Sequence, residues 1–337
     1  MTRVLAAMMA TLIVLAGFVS AAAARDNKQF GVLVMAHGGR SEWNREVEAM
    51  LAPLRQDYPL EIAFGMADPV TMQEAVRRLE AQGVGRIAVV RLFISGESWR
   101  ERTEQILGIR PGAPPKPATQ ASGGHGEHGG HSMDLWRIET SASFALSSEG
   151  LAAAPEMGSV LADRVRALSR DPRGESVLIL AHGPEDDAEN QRWIRQIDAR
   201  ADKVRDLAPF RQVRVETLRE DWPETRKTSE ARIRSFVEEA NREGGRAIII
   251  PYRIQGFGPY ADVLRGLSYV SDGRGLLPST KVGQWVRRQV EALRPILSAK
   301  RPDGSRPIAP PKRVGTLVRH PTPQSLPINH YLHLSEG

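Results

Sequence analysis

Two apolar runs in this chain end in the same way. Phe30-Gly31-Val32-Leu33-Val34-Met35-Ala36 is closed by His37-Gly38-Gly39, and Ser176-Val177-Leu178-Ile179-Leu180-Ala181 is closed by His182-Gly183-Pro184. Short apolar runs without helical spacing, stopped by glycine, predict strands buried on both faces, which a parallel sheet with helices on either side provides. Open sheets of that kind bind ligands just past the carboxyl ends of their strands. Each histidine is therefore delivered to a candidate site. The alternative is that each ring caps its strand by bonding a neighbouring backbone carbonyl.

The segments between the two runs alternate strand and helix. After 30–36 comes a helix opened by Ser41 as N-cap, with Val47, Met50, Leu51 and Leu54 on its apolar face, then a strand at 61–66. Asp68-Pro69 starts a second helix with proline at its first position, and Val70, Ala75, Val76 and Leu79 follow at helical spacing. Residues 86–94 form a β-branched third strand that leaves through Ser95-Gly96-Glu97-Ser98-Trp99 into a charged helix. A fourth strand is expected at 135–140 and a helix at 155–168. The pattern then repeats with strands at 176–181, 212–218 and 245–250 and helices at 187–207 and 223–243. Gly275-Leu276 with Val282-Gly283 matches Gly150-Leu151 with Met157-Gly158. The expectation is a duplicated α/β fold, two tandem doubly wound parallel-sheet domains at 28–170 and 174–297.

The ends and one insertion fall outside this scheme. Met1-Thr2-Arg3, an uncharged apolar stretch to Val19 and the Ala22-x-Ala24 site read as a secretory signal peptide over 1–24, so the protein is expected to be exported, to the periplasm, with no stable membrane anchor. Residues 110–134 carry four prolines and then Gly123-Gly124-His125-Gly126-Glu127-His128-Gly129-Gly130-His131, a composition that supports neither helix nor strand. The tail at 298–337 is basic and proline-rich and is expected to be disordered. The net charge of +6 draws much of its excess from that tail, where six Lys/Arg face Asp303 and Glu336, so nucleic acid is not an expected partner. Zero cysteines exclude disulfides, thiolate metal sites and a cysteine nucleophile.

Metal chemistry is then left to histidine and carboxylates. His125, His128 and His131 lie at i, i+3 and i+6 in a chain with eight histidines, and borderline imidazole ligands suit Zn, Cu, Ni and Co. Metal capture or hand-off is the expected role of that loop. His37 is the second candidate, with Glu97 expected beside it at the same sheet edge. An imidazole facing a carboxylate can bind a divalent ion and accept protons, as metal insertion into a nitrogen macrocycle requires. For Glu97 the competing role is a helix-start carboxylate favoured by the helix dipole.

Three stretches carry a family resemblance: Val32-Leu33-Val34-Met35-Ala36-His37-Gly38-Gly39-Arg40, Phe64-Gly65-Met66-Ala67-Asp68-Pro69-Val70 and Gly85-Arg86-Ile87-Ala88-Val89-Val90-Arg91-Leu92-Phe93-Ile94. Together they resemble the sirohydrochlorin cobaltochelatase and ferrochelatase family of class II chelatases, with residues 176–293 as a weaker second module. The resemblance implies insertion of cobalt, iron or nickel, as substrate, into a sirohydrochlorin-type tetrapyrrole without a nucleotide, in cobalamin or sirohaem biosynthesis. It also implies His37 as the metal-binding, proton-accepting residue. The family's second histidine, after the third strand, is absent from Leu92-Phe93-Ile94-Ser95-Gly96-Glu97-Ser98-Trp99, and a resemblance to the His-plus-Glu arrangement of protoporphyrin ferrochelatases makes Glu97 the expected substitute. In the second module Tyr252-Arg253-Ile254-Gln255-Gly256-Phe257-Gly258-Pro259-Tyr260 offers neither histidine nor carboxylate, so His182 is expected to stand alone in a structural role.

Other classes fit less well. Histidine phosphatases resemble Arg-His-Gly, but alanine precedes both histidines here, which removes the phosphate-binding guanidinium. No Gly-x-Ser-x-Gly elbow, dinucleotide fingerprint or Walker sequence follows a first strand. The remaining alternative is an exported, non-catalytic carrier of metal or tetrapyrrole.

Overall fold

In the computed structural model, which describes residues 30–117 and 134–299, the first apolar run is strand β1 (Phe30–Ala36), every residue of it buried. It is followed by α1 (Ser41–Arg55), β2 (Leu60–Phe64), α2 (Pro69–Ala81), β3 (Arg86–Leu92), α3 (Arg100–Ile106), β4 (Ser143–Leu146) and α4 (Pro155–Leu168). The second run is β5 (Glu175–Ala181), followed by α5 (Asp187–Arg205), β6 (Gln212–Thr217), α6 (Pro223–Ala240), β7 (Arg246–Tyr252), α7 (Tyr260–Val263) and α8 (Thr280–Ser298). The strands form two all-parallel sheets, in the orders β2-β1-β3-β4 and β6-β5-β7. This is the expected class: two tandem doubly wound α/β units. Among the described residues no helix is long and apolar enough to cross a membrane.

Alternation along the central strands divides the core. Val32, Val34 and Ala36 of β1 face inward with Val177, Ile179 and Ala181 of β5, Ile248, Ile250 and Tyr252 of β7, and helices α1, α4, α5 and α8. Leu33 and Met35 face the outer layer of the first unit, and Leu178 and Leu180 that of the second. One continuous apolar core therefore runs through both units, with a smaller core on each outer face.

That continuity comes from an exchange of helices. Helix α4, which ends the first half of the sequence, packs along α5 and against β7, while α8, which ends the second half, packs on β3, β4 and α1 of the first unit. The glycines matched between the halves sit at the two approaches. A Cβ on Gly158 would lie 3.0 Å from the carbonyl oxygen of Arg200 on α5, and one on Gly283 would lie 3.2 Å from that of Met50 on α1. Polar contacts fix the exchange: the Arg164 guanidinium on α4 donates to Asp272 at 2.7 Å and to the carbonyls of Gly275 and Leu277, and the Tyr252 hydroxyl donates to the carbonyl of Leu151 at 2.8 Å.

Two local expectations are corrected. Residues 135–140 are not the fourth strand; they make an isolated bridge at Arg137 to Pro115, and β3 pairs instead with β4 at 143–146. Trp136 and Ile138 use their alternation to enter the outer core, and the Gln73 amide holds the Glu139 backbone from both sides, at 2.7 and 2.9 Å. Ser41 is the first helical residue rather than the cap; Arg40 takes the cap position without a side-chain bond, and the Asn44 amide accepts from the nearby Gly39 N–H at 3.0 Å. Asp68 does cap α2, accepting from Val70 N–H at 2.8 Å with Pro69 behind it.

Trp285 on α8 is fully buried and donates through Nε1 to Glu149 of the first unit at 2.9 Å. Trp285→Ala is expected to cost about 3–5 kcal/mol and, because the core is shared, to expose β3 amides as well as α8 in hydrogen exchange. A loss well under about 1 kcal/mol in urea unfolding would contradict the docking of α8.

Candidate functional site

At the carboxyl edge of the first sheet, Gly38 has φ +79°, a conformation open to glycine, and a Cβ there would meet Phe64 Cβ at 3.1 Å. The reversal it permits exposes His37 and folds its ring back so that Nδ1 lies 2.8 Å from the Gly38 carbonyl oxygen. A carbonyl can only accept, so Nδ1 carries the hydrogen, and in that tautomer the lone pair sits on Nε2. Trp43 and Phe64 stand edge to face beside this turn, ring centroids 6.3 Å apart.

The loop after β3 reaches the same edge. Arg91 anchors it from within the sheet: it is 1% exposed and donates to the carbonyls of Ser98 at 2.7 Å, Gly96 at 2.5 Å and Ser147 at 3.0 Å. Burial lowers its pKa to about 10, which leaves it cationic at neutral pH. The Glu97 carboxylate, carried on that loop, accepts two parallel hydrogen bonds from Arg192 of α5, from Nε at 2.9 Å and Nη2 at 2.8 Å. The candidate partner of His37 is thus held in an ion pair between the units. Among the described residues no group of three or more His, Cys, Asp or Glu side chains is arranged to hold a metal. His125, His128 and His131 lie outside the described residues.

The second sheet edge copies the backbone and changes the charge. Gly183 has φ +80°, and His182 Nδ1 lies 2.6 Å from the Gly183 carbonyl oxygen. The expectation that His182 stands alone is overturned. Its Nε2 is 2.8 Å from Asp221 Oδ2 and 3.2 Å from Glu220 Oε1, and Trp222 meets the ring edge on at 5.9 Å. With acceptors at both nitrogens the ring satisfies its surroundings as an imidazolium. Burial opposes that charge, but the Asp221 hydrogen bond and the Glu220 charge outweigh it and raise the pKa; the same bond from His182 lowers that of Asp221. Arg253 braces the far side, donating to both Glu220 oxygens at 2.7 and 2.8 Å.

These partners come from the loop after β6, whereas the sequence reading looked after β7. The available signal was the acidic pair Glu220-Asp221, which follows its strand as Asp68 follows β2; Asp68 was read as a cap, and the equivalent loop went unread. Arg91 and Arg192 carried no local motif.

Comparison with known proteins gives concordant findings. Residues 31–112 match the CbiX family. The sirohydrochlorin cobaltochelatase of Methanothermobacter thermautotrophicus is 27% identical over 143 residues, covering 41% of this chain and 92% of that protein. SirB from Bacillus subtilis, solved with Fe3+, superposes with a TM-score of 0.55 at 17% identity, over 78% of this chain and 96% of its own. The sirohydrochlorin chelatase SirB of Bacillus subtilis subspecies spizizenii, in complex with cobalt, gives 0.51 at 14% identity, over 78% and 96%. At these identities the structural likeness is one of fold.

The His182–Asp221 pair makes a signed prediction. A raised histidine pKa contributes stability that is present below the ordinary value of 6.5 and is lost as pH climbs through the raised value. A lowered aspartate pKa contributes above the ordinary 3.8 and is lost as pH falls through the lowered value. His182→Gln is therefore expected to lose most stability relative to wild type between about pH 4 and 6.5, and progressively less toward pH 9. A stability difference that stays flat with pH in urea titrations would contradict the imidazolium assignment.

Proposed function

We propose that this protein inserts a divalent metal, cobalt, iron or nickel, into a sirohydrochlorin-type tetrapyrrole at the carboxyl edge of the first sheet; the match of residues 31–112 to the CbiX family and the likeness to a sirohydrochlorin cobaltochelatase support the reading. The observation that supports the reading is the His37 turn, which leaves the imidazole exposed at the carboxyl end of β1, a strand inside the sheet.

The chemistry asks little else of the protein. Insertion exchanges two pyrrole protons for one M²⁺, so the site must deliver the ion and remove two protons, and no nucleotide enters that balance. His37 can do both in turn, offering Nε2 first to the metal and then to a proton. Two protein donors such as His37 and Glu97 suffice for delivery, because the macrocycle itself supplies four nitrogens. Trp43 and Phe64 provide apolar surface beside the histidine for a flat ring. His182 is a poor ligand in this scheme, since its Nε2 is committed to a proton shared with carboxylates. The second unit accordingly acts as a cover and positioning partner.

Two further elements of the reading rest on sequence. The signal-like segment at 1–24 supports export to the periplasm, where the mature chain would begin at Arg25. The histidines at 125, 128 and 131 would raise the local metal concentration near the first unit.

The test is to mix purified protein with metal-free sirohydrochlorin and Co²⁺ and follow the macrocycle absorption. Insertion faster than buffer, reduced about 100-fold or more by His37→Ala but within about threefold of wild type in His182→Gln, is expected. Tight stoichiometric metal binding without acceleration would overturn the enzymatic reading in favour of a carrier. Deleting residues 123–131 should slow insertion at scarce metal and leave the rate at saturating metal unchanged; an unchanged rate at scarce metal would remove the capture role.

A further inference from the structure

The Glu97–Arg192 pair joins the loop at the carboxyl edge of the first sheet to the helix that follows the carboxyl edge of the second. Glu97 is on the loop leaving β3, and Arg192 is on the second turn of α5, just past the loop that carries His182. Other ion pairs between the halves, such as Arg164–Asp272 and Arg287–Asp57, belong to the exchanged helices rather than to this edge. The geometry is that of a guanidinium fork gripping a planar carboxylate through Nε and Nη2, and such a fork accepts any carboxylate of the same shape.

Resting on the chelatase reading, we propose that Arg192 is the residue that reads a peripheral carboxylate of the tetrapyrrole, and that Glu97 occupies its fork until substrate arrives. Four features support the exchange. The side chains are 53% and 41% exposed, and ion pairs that open to water are weak enough to be replaced by another carboxylate. Arg253 and Arg164, by contrast, are committed to acceptors within the fold. The acids near Arg192 are themselves engaged: Asp187 pairs with Arg219, Asp186 caps the Glu189 N–H at 2.7 Å, and Glu189 accepts from Trp193 Nε1 at 3.1 Å. Finally, Arg91 holds the Glu97 loop by the backbone carbonyls of Gly96 and Ser98, so the carboxylate can turn away without the loop moving.

The exchange has a consequence for the metal. Glu97 displaced from Arg192 returns to the edge shared with His37, adjacent through the β1–β3 pairing, and becomes a second oxygen donor there. The metal site is then completed when the macrocycle is bound, which disfavours idle trapping of metal.

The probe is metal-free uroporphyrin, a flat octacarboxylate macrocycle, titrated into the full chain and read by tryptophan quenching and Soret shift. Glu97→Gln should bind it about two- to fivefold more tightly than wild type, with the gain shrinking as salt rises. Arg192→Ala should bind about three- to tenfold more weakly, and adding Glu97→Gln to Arg192→Ala should change nothing further. Circular dichroism and melting confirm that each variant is folded. If wild type binds no uroporphyrin, the exchange and the tetrapyrrole reading both fall. If wild type binds but Glu97→Gln is not tighter, the exchange alone falls. If Glu97→Gln tightens binding equally in the Arg192→Ala background, the effect is general charge repulsion and the exchange is likewise overturned.

Discussion

The two units share one apolar core because α4 and α8 have changed places. Each helix closes the core of the other unit, so neither sheet is complete without a helix supplied by the opposite half of the sequence. A shared apolar core of this kind resists relative movement of the two units far more than an ion-paired surface would, since it can shift only by exposing buried side chains. The loops at the sheet edges are free to specialise because the core, and not their own contacts, fixes their positions.

On that frame the same turn is used twice with opposite electrostatics. His37 and His182 share the glycine at positive φ and the Nδ1 contact to the following carbonyl. The charged groups around the two rings differ. Asp221 and Glu220 bind a proton to His182 and make it a structural cation, braced by Arg253. In the first unit Glu97, carried on the loop after β3 rather than after β2, is paired with Arg192. Divergence between the halves thus lies in a few charged side chains laid over a common backbone.

The strands were legible because their signal is local: a fully buried strand is a run of apolar residues, and β1, β3, β5 and β7 could be read directly. The apolar alternation at Leu135, Trp136 and Ile138 was local too, but it described burial under α2 and α3 and not pairing, which depends on what lies beside β3. The exchange of α4 and α8 was not legible, because an amphipathic helix records that it covers a sheet and not which one. Gly158 and Gly283 were matched in sequence, yet only packing explains them, as the points where each exchanged helix approaches a neighbour's backbone. The strand-end position of His37 was legible from the apolar run that precedes it. The partners of His182 were missed because three loops converge on a sheet edge and one of them was not considered.

The central claim is that metal enters at His37 and not at His182, although their backbones are alike. It is tested most directly by recording imidazole ¹H–¹⁵N spectra of the folded chain while Zn²⁺ is added as a diamagnetic surrogate, with the two resonances assigned by substitution. The account predicts that the His37 Nε2 signal shifts to a metal-bound position while His182 keeps protons on both nitrogens. A His182 ring that loses its Nε2 proton to the metal while His37 stays unchanged would contradict it.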